Sequence, residues 1–274
     1  MKNNIGYFIA KKRKEMGYTQ QSLAEMLNIS FQAVSKWEKG ISTPDILLLP
    51  QIASILHTSV DAIVGYSSIS KTHYEEKYKG EEYYWGIAPN RLCYEIMKLR
   101  PPVKPYKVLD MGCGEGKDAV FLAKNGYIVS AFDIADTGLR KGRELAYRNH
   151  VSIDFFKADI NEFEPQDMYD VVLSSGVCHY IKGSNRRQLF EKIKAHTLPG
   201  GIHTLNVFVQ KPFIEMAPDS EESERQTEPW YSGELAYNYH DWLFHKNEEV
   251  IFDCNSGGKK HKHCMDIVVT EKVK

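Results

Sequence analysis

The chain has 274 residues, of which 42% are hydrophobic, and its 35 basic and 36 acidic side chains leave a formal net charge of −1. This length suits one or two domains with a substantial core, and the balanced charge excludes a global basic field that would attract nucleic acid. No apolar run could span a membrane, and the N-terminus lacks a signal-peptide core. The five cysteines are odd in number and form no Cys-x-x-Cys pair, so we expect reduced thiols in the cytoplasm.

Helical periodicity and capping residues indicate that the first 66 residues form a helical domain. They predict five helices, over residues 5–16, 20–27, 31–39, 44–56 and 60–64. Thr19 and Ser30 can cap the second and third helices, and Gly40 can end the third. The first helix carries a basic run, Lys11-Lys-Arg-Lys14. Because the second and third helices are short and joined by a tight turn, they predict a helix-turn-helix.

Residues 5–65 resemble the lambda-repressor/Cro-like helix-turn-helix family, in particular its xenobiotic-response-element type. The residues that carry the resemblance are Thr19, Gln20, Leu23, Ala24, Val34, Ser35, Lys36, Trp37, Glu38 and Gly40. We expect Leu23, Val34 and Trp37 to lie in the core, because Trp37 follows Val34 by three positions on one helix face.

The resemblance implies a DNA-binding surface on this domain. Gln20 would contact a phosphate, and Gln32, Ser35 and Lys36 would face the major groove of double-stranded DNA from the third helix. A homodimer on two half-sites is the usual arrangement. The alternative is a dimerisation or protein-binding domain that no longer reads DNA, since the module is only mildly basic and phosphate contacts need cations.

Residues 67–82 are expected to link two domains, with a serine-rich start followed by mixed charges. The second domain is expected over residues 83–274. Its first aromatic cluster, Tyr83-Tyr-Trp85, precedes Pro89-Asn90 and the first helix. Trp85 fits a lid that excludes water from a ligand, or a hydrophobic staple of that helix, and we favour the lid.

Residues 108–117 predict a buried strand that runs into a glycine-rich turn and then a helix. The turn has the pattern Asp-x-Gly-x-Gly-x-Gly from Asp110 to Gly116, and its glycines allow a ligand to approach the backbone closely. A second strand, 127–133, ends on Asp133. In a nucleotide-binding βαβ unit, an acid at this position can accept hydrogen bonds from both ribose hydroxyls. The combination predicts a cofactor that contains adenosine.

Asp110 distinguishes between cofactors. A dinucleotide fingerprint, Gly-x-Gly-x-x-Gly, seats a pyrophosphate on the helix N-terminus, but here the third glycine comes one residue early. Asp110 would also repel a pyrophosphate. The acid suits a cationic amino group, such as that of S-adenosyl-L-methionine. The alternative is a glycine turn of some other α/β domain.

Further segments resemble the class I S-adenosylmethionine-dependent methyltransferases. Residues 155–160 resemble the end of the family's third strand, 169–176 its fourth strand, and 198–201 the turn into its fifth. The resemblance implies an α/β, Rossmann-like fold with a mostly parallel seven-stranded sheet, beside the N-terminal all-α five-helix domain. It implies cofactor contacts from Trp85, Asp110, Gly112, Cys113, Gly114, Gly116, Asp133, Ile134, Asp159, Ile160, Ser175 and Gly176.

Residues 84–272 resemble, more closely, the tellurite-resistance methyltransferases. The segments that carry this resemblance are 123–133, 231–242 with its Gly-Glu-Leu and Tyr-His-Asp-Trp elements, and 247–250 before a closing hairpin with a turn at 256–258. The chain departs from the pattern in an insertion, 212–228, with an acidic run at 219–224, and at Val177-Cys-His-Tyr180. Residues 213–230 are expected to cover the site. Both departures lie where an acceptor would bind, so a chalcogen oxyanion does not transfer directly as the substrate.

The chemistry of the donor defines what the protein must supply. A sulfonium methyl group is already activated, so the enzyme aligns a nucleophile and excludes water. A soft tellurium, selenium or sulfur atom needs no base, whereas a hydroxyl or amine would need one. His179 is the first candidate, with packing beside the cofactor as an equal alternative. Arg186 and Arg187 could bind an oxyanion, although a solvated helix surface is the favoured interpretation.

His261-Lys-His263-Cys264, together with Cys254 across the hairpin, contains residues that could bind zinc. No standard zinc spacing results, because Cys264 points away from the histidines on a strand. We therefore predict a structural strand with solvent-facing histidines and no metal.

The sequence predicts a methyltransferase that acts on a small molecule and carries a DNA-binding domain. The alternative from another class is a transcriptional regulator whose methyltransferase fold senses a ligand. A methyltransferase for nucleic acid is a weaker hypothesis, because Ser174-Ser-Gly-Val follows the fourth strand where an Asn-Pro-Pro-Tyr-like element would be needed.

Overall fold

Two units make up the computed structural model, residues 1–70 and residues 71–274. The structure describes residues 4–58, 60–64, 73–215, 228–254 and 260–273. The division into units places residues 71–82 of the predicted linker, 67–82, in the second unit, where they include a helix, His73–Lys77. Within the described ranges, no helix combines the length and the apolar character that crossing a membrane requires.

The first unit consists of short helices, as the periodicity predicts. They are α1 (Asn4–Glu15), α2 (Gln20–Met26), α3 (Phe31–Glu38), α4 (Leu49–Ile55) and α5 (Val60–Val64). Thr19 Oγ1 accepts a hydrogen bond from the Ser22 amide, and Ser30 Oγ accepts one from the Ala33 amide. Both predicted N-caps of the helix-turn-helix are therefore formed.

The predicted fourth helix, 44–56, differs at its start. Asp45 Oδ1 accepts a hydrogen bond from the Leu47 amide at 2.8 Å and caps a 3₁₀ turn, Ile46–Leu48, that precedes α4. Pro50 lies in the first turn of α4. Because proline has no amide hydrogen and clashes with a preceding turn, a regular helix begins just before it.

The core of the first unit contains the three side chains predicted for it. Leu23, Val34 and Trp37 are buried. Helices α1 and α3 approach closely, since a Cβ atom on Gly6 would lie 1.8 Å from the Trp37 carbonyl oxygen. Only glycine fits at this crossing, so Gly6 allows the two helices to pack in direct contact.

Arg13, which belongs to the basic run of the first helix, is buried. Its Nε donates to Glu38 Oε1 at 2.6 Å, and its Nη1 donates to the Tyr18 carbonyl at 2.6 Å. The packing of α1 on α3 brings these groups together, and a buried guanidinium needs such partners. The basic face of α1 is therefore limited to the lysines of the run.

The second unit is built on a seven-stranded sheet with the strand order β3-β2-β1-β4-β5-β7-β6. The strands are β1 (Lys107–Met111), β2 (Ile128–Asp133), β3 (Asp154–Lys157), β4 (Tyr169–Ser174), β5 (Thr197–Val209), β6 (Leu243–Cys254) and β7 (His261–Glu271). Strands β1 to β5 are parallel, and β7 runs antiparallel between β5 and β6. This is the predicted Rossmann-like sheet, in which ligands bind at the carboxyl ends of the parallel strands.

Helices accompany the sheet on both faces. Those described are α6 (His73–Lys77), α7 (Arg91–Leu99), α8 (Lys117–Lys124), α9 (Asp136–Arg148), α10 (Gly183–Ala195) and α11 (Glu234–Tyr237). Two hydrophobic clusters result, one around Met111 and Leu205 and the other around Val108 and Val171. Because both faces are covered, β1 and β4 contain no exposed residue along their length.

The predicted turn at 198–201 lies inside β5 rather than before it. Thr197 pairs with Tyr169 of β4, and Ile202 pairs with Val171, so the intervening residues form a bulge. Gly200 has a φ of +73° there, which a residue with a Cβ atom resists. The predicted turn is therefore present as a bulge, and β5 pairs with β4 on both sides of it.

Candidate functional site

The glycine-rich turn between β1 and α8 is shaped by contacts that leave no room for side chains. Gly112 and Gly116 have φ values of +70° and +80°. A Cβ atom on Gly112 would lie 2.5 Å from Val177 Cγ2, and one on Gly116 would lie 2.9 Å from the Cα of Gly142. The backbone of the turn therefore packs closely against its neighbours at the carboxyl end of β1, which only glycine allows at these two positions.

Asp133, at the end of β2, is held by the same turn. Its Oδ2 accepts a hydrogen bond from the Gly114 amide at 2.8 Å, and its Oδ1 accepts one from the Ala135 amide at 2.9 Å. Burial raises the pKa of Asp133, while the backbone amides oppose that shift. The carboxylate is fixed beside the turn and has lone pairs left for hydroxyl donors.

Asp110, at the carboxyl end of β1, is only 2% exposed. Among the described residues, no donor reaches its Oδ2. Burial, followed by the charge of Asp118, raises the pKa of Asp110 well above its usual range, and Lys117 opposes the shift. A buried carboxylate oxygen without a donor is an unusual feature that a ligand can satisfy. The site therefore suits a cationic or hydrogen-bond-donating group.

Helix α6 covers the turn, a feature that the sequence analysis missed. The hydroxyl oxygen of buried Tyr78 lies 2.9 Å from the position of a Cβ atom on Gly114. Glu75 accepts hydrogen bonds from the Thr137 amide at 3.2 Å and from its hydroxyl at 3.1 Å. Tyr74 and Tyr78, four positions apart within a mixed-charge stretch, were the available signal for a helix face.

Trp85, predicted as a lid residue, lies beside the turn. Its side chain is half exposed, and its backbone amide donates to Glu115 Oε2 at 3.4 Å. Its ring packs edge-on against Tyr84, and its side chain forms a hydrogen bond with Tyr78. The role of Trp85 as a lid over the cofactor remains a prediction.

Other residues predicted to contact the cofactor surround the same edge of the sheet. The amide of Cys113 donates to the Phe132 carbonyl at 2.9 Å, which ties the turn to β2. Asp159 Oδ1 accepts a hydrogen bond from the Asn161 amide at 2.8 Å, and the Ile160 side chain is buried in the core. Ile134 is half-buried after β2. The assigned roles of these residues remain predictions.

The end of β4 is held by two asparagines that the sequence analysis did not assign to the site. Asn90 Nδ2 donates to Ser175 Oγ at 2.9 Å. The Gly176 amide donates to Asn206 Oδ1 at 2.7 Å. These bonds link β4 to the start of α7 and to β5, so Ser175 and Gly176 are fixed next to the carboxyl end of β1.

A cavity of about 80 Å³ lies at the carboxyl end of β5. His179, Phe208, Ile214, Trp230 and His263 are among its lining residues. The His179 ring centroid lies 4.9 Å from that of Phe208, and His179 is buried in the 3₁₀ turn that follows β4. The structure thus places His179 where a small acceptor could meet it.

Arg186 and Arg187, predicted as candidates for binding an oxyanion, do not line this cavity. The guanidinium of Arg186 is buried 4.2 Å from the Trp230 ring centroid and donates to Glu234 Oε1 at 2.7 Å. Arg187 is exposed and pairs with Glu191. Neither arginine is therefore placed to bind an oxyanion in this cavity. Arg186 instead anchors the segment around Trp230, so the solvated-surface interpretation holds only for Arg187.

The predicted solvent-facing histidines of β7 include one that is buried. His263 is 7% exposed, and its Nε2 lies 2.9 Å from that of His261. The register of β6 with β7 places Cys254 opposite His261. One ligand atom from each of these three residues lies within 4.8 Å of the other two. The sequence spacing concealed this convergence because a hairpin creates it.

The predicted DNA-contacting residues lie on α2 and α3. Gln32 and Lys36 are exposed, and Ser35 is half-buried. Gln20 Nε2 donates to Glu38 Oε2 at 2.6 Å within the first unit. The contacts of these side chains with DNA remain predictions.

Part of the predicted cover lies outside the described residues. Only 213–215 and 228–230 of the predicted cover, 213–230, are described, so the acidic run at 219–224 is not. The hairpin turn at 256–258 also lies outside the described ranges.

Comparison with known families follows this division into units. The family model described as tellurite resistance protein TehB matches residues 76–262, and a helix-turn-helix family model matches residues 9–63. The chain belongs to the TehB family. Its N-terminal unit adds a Cro/lambda-repressor-type helix-turn-helix domain, as the sequence predicts.

Relatives of the TehB domain include methyltransferases. A probable S-adenosyl-L-methionine-dependent methyltransferase TehB from Haemophilus influenzae is 28% identical over 111 residues, covering 40% of this chain and 39% of the relative. A ubiquinone biosynthesis O-methyltransferase from Rickettsia canadensis is 30% identical over 163 residues, covering 54% of this chain and 68% of the relative. The chain thus spans between about two fifths and two thirds of the length of these curated relatives.

Solved structures confirm the fold. The crystal structure of TehB from Haemophilus influenzae matches with a TM-score of 0.60 and 23% identity, covering 69% of this chain and 64% of that one. An N-methyltransferase, NodS from Bradyrhizobium japonicum in complex with S-adenosyl-L-homocysteine, matches with a TM-score of 0.53 and 13% identity, covering 76% of this chain and all of that one.

The TehB domain of this chain is therefore a methyltransferase domain whose cofactor is S-adenosylmethionine. Its residues fit that cofactor: the Asp110 oxygen without a donor suits the ammonium group, and the backbone-held Asp133 suits the ribose hydroxyls.

Proposed function

We propose that the chain transfers a methyl group from S-adenosylmethionine to a small, mainly apolar acceptor that carries a hydroxyl or a thiol. The observation that carries the proposal is the position of the cavity. It lies beside His179 at the end of β4, and β4 is the neighbour of β1, which ends on the glycine-rich turn and Asp110. Donor and acceptor would therefore meet at one edge of the sheet.

Each residue of the site has a distinct task in this proposal. When bound, S-adenosylmethionine supplies an electrophilic methyl group on a sulfonium. Asp110 binds the ammonium group, and Asp133 accepts hydrogen bonds from the ribose hydroxyls. Tyr78 excludes water from the glycine-rich turn. His179 accepts the proton of a hydroxyl acceptor, whereas a thiolate needs no such base.

The charges around the cavity argue against an oxyanion such as tellurite or selenite. Two lysines contribute to the lining, but Lys211 pairs with Glu249 at 2.6 Å and Lys262 pairs with Asp253 at 3.0 Å. The buried Arg186 is used within the fold. A buried anion needs cations that are not already neutralised. An uncharged acceptor fits better, and the name of the Rickettsia relative, an O-methyltransferase, supports a hydroxyl.

A buried donor in the cavity wall supports an acceptor with an oxygen atom. Trp230 lines the cavity, and among the described residues no acceptor reaches its Nε1. Indole N–H groups that are buried usually have a partner. A carbonyl or ether oxygen of the acceptor could accept this hydrogen bond and fix the orientation of the molecule.

A transfer assay tests the proposal. Methyl-labelled S-adenosylmethionine is incubated with phenols, small thiols, amines, tellurite and selenite, and adenosylhomocysteine release is followed. We expect turnover with a phenol or a thiol, and none with the oxyanions. Turnover of tellurite alone would contradict the proposed acceptor class but not the proposal that the chain is a methyltransferase.

A variant of His179 separates the two acceptor chemistries. In His179→Phe, we expect turnover of a phenol to fall about 10²–10⁴-fold, because the base is lost, and turnover of a thiol to persist. His240→Phe, which changes an exposed histidine after α11, is the matched control. An equal loss for both acceptors would indicate that His179 only packs the cavity.

The first unit supports a second function, binding of double-stranded DNA by a homodimer. The observation that favours it is the exposure of Gln32 and Lys36 on α3, with Thr19 and Ser30 capping the helices of the motif. A regulator without turnover remains the competing proposal. If the donor binds and no acceptor in the panel is methylated, DNA affinity is measured with and without donor. A change in DNA affinity on addition of the donor would favour the regulator.

A further inference from the structure

Cys254, His261 and His263 form a cluster where β6 ends and β7 begins. The antiparallel register places Cys254 opposite His261, and His263 follows two positions later on the same face of β7. The Cys254 sulfur and one ring nitrogen from each histidine lie within 4.8 Å of one another. Three side chains from two strands thus point at a common centre.

The chemistry of this cluster selects a class of ion. Thiolate and imidazole groups prefer Zn²⁺ and similar transition-metal ions, whereas Mg²⁺ and Ca²⁺ prefer oxygen ligands. With zinc bonds of about 2.0–2.3 Å, two ligand atoms of a tetrahedral site lie roughly 3.3–3.8 Å apart. The histidine nitrogens, at 2.9 Å, would separate slightly, and a pair at the outer limit of 4.8 Å would close by about 1 Å.

The cluster adjoins the acceptor cavity. His263 lines the cavity, and its ring centroid lies 4.9 Å from that of Phe208, which in turn lies 4.9 Å from that of His179. His263 is therefore both a potential ligand and part of the wall that an acceptor would touch.

We propose that Cys254, His261 and His263 bind a thiophilic divalent ion such as Zn²⁺, with a fourth position open to the cavity. Three protein ligands and one exchangeable ligand are typical of zinc sites that bind water or substrate. A thiol acceptor would occupy the fourth position as its thiolate. Ion binding stands independently of methyl transfer, and only the identity of this fourth ligand rests on the proposed function.

The test uses the full chain without donor or acceptor. Zn²⁺ is titrated against a chromophoric chelator, and Co²⁺ replaces Zn²⁺ as a spectroscopic probe. We expect one ion per chain, a thiolate-to-cobalt charge-transfer band, and loss of that band in Cys254→Ser. His263→Gln should lower Zn²⁺ affinity at least ~100-fold, since even partners of metal ligands contribute 10–100-fold. His240→Gln serves as the control and should bind like the wild type.

The outcomes separate the parts of the proposal. A cobalt complex of the wild type without a thiolate band, or equal Zn²⁺ affinity in the wild type and Cys254→Ser, overturns the site. Because the cobalt spectrum of the wild type needs no variant, a misfolded variant cannot obscure the result. Addition of a small thiol should shift the cobalt spectrum, and an unchanged spectrum would overturn the assignment of the fourth ligand. A chain that binds the ion yet methylates nothing would contradict only the proposed transfer.

Discussion

Asp110 combines burial with an oxygen that no described donor reaches, so its charge is costly until a cation arrives. Burial and the charge of Asp118 raise its pKa, so the free protein holds a proton on Asp110 to a higher pH than an exposed aspartate does. An ammonium group favours the ionised form and lowers that pKa again. Binding of the donor should therefore release a proton and weaken as the pH falls through the raised pKa.

Asp110→Asn tests this linkage. We expect the variant to bind S-adenosylmethionine roughly 10–100-fold more weakly, because a hydrogen bond to a charged group is lost. Calorimetry in buffers of different ionisation enthalpy should show proton release for the wild type and none for the variant. Identical heats in both buffers for the wild type, with unchanged affinity in the variant, would exclude Asp110 as the ammonium site.

The residues of the donor site could be predicted because their signals are local. Asp133 ends β2, Asp110 lies one residue before the end of β1, and the glycines between them report backbone conformations. Arg186 could not be predicted in the same way. Its partners, Glu228, Pro229 and Glu234, lie more than 40 positions later in the chain, and only the folded segment brings them to the guanidinium. Sequence distance conceals such contacts.

Helix α6 is a five-residue element whose stability comes from tertiary contacts rather than from its own hydrogen bonds. Glu75 joins it to the first turn of α9 through Thr137, and the chain directly after the helix places Tyr78 over Gly114. Disrupting this attachment should loosen the cover over the glycine-rich turn without disturbing the turn itself.

We expect Glu75→Gln to speed release of bound S-adenosylmethionine about tenfold, which corresponds to the loss of a charge-assisted hydrogen bond. Stopped-flow displacement with unlabelled donor measures the rate. Glu76→Gln, an exposed change on the same helix, is the matched control. If both variants release the donor like the wild type, α6 does not restrain the bound donor.

The packing of α1 on α3 depends on a buried ion pair between Arg13 and Glu38. Burial raises the pKa of Glu38, but hydrogen bonds from Arg13 and Gln20 outweigh it and leave the pKa lowered. A lowered pKa means that the pair stabilises the unit above the ordinary pKa of glutamate, about 4.5, and that this stability is lost as the pH falls.

Arg13→Met removes one partner and leaves the Glu38 carboxylate buried. We expect the opening free energy of the first unit to fall by about 3–5 kcal/mol at neutral pH, as for other broken buried pairs. Hydrogen exchange of the α1–α3 amides, followed by mass spectrometry, measures it. Lys12→Met, which affects a more exposed pair with Glu15 on the same helix, should change it little. Similar protection in both variants would contradict a stabilising pair.

At the scale of elements, periodicity predicted where helices and strands lie but not how strands pair. The family resemblance implied a closing hairpin, and the register of β6 with β7 then decided that Cys254 faces His261. Helix α6 was missed for the complementary reason, since five residues of mixed charge carry almost no periodic signal. The register places Cys254 opposite His261, and the missed helix leads into Tyr78, which lies beside Gly114 of the glycine-rich turn.

At the scale of the molecule, a helix-turn-helix unit and a TehB domain share one chain, so their two ligands can influence each other only through a coupling free energy. Any factor by which S-adenosylmethionine changes DNA affinity must equal the factor by which DNA changes donor affinity. The enzyme hypothesis and the regulator hypothesis therefore predict different values of this factor, whatever the acceptor is.

Asp133→Ala provides the decisive comparison. Because Asp133 holds the Gly114 amide and is the proposed acceptor of hydrogen bonds from the ribose hydroxyls, the variant should lose donor binding, while the first unit should keep its DNA affinity. A duplex selected from a random library with the full chain serves as the probe, and affinity is measured with and without donor. A donor-dependent change in the wild type that disappears in the variant would establish a regulator with a true allosteric factor. Unchanged DNA affinity in both proteins, with donor bound only by the wild type, would leave the two activities thermodynamically independent. Equal donor affinity in the variant would instead remove Asp133 from the site.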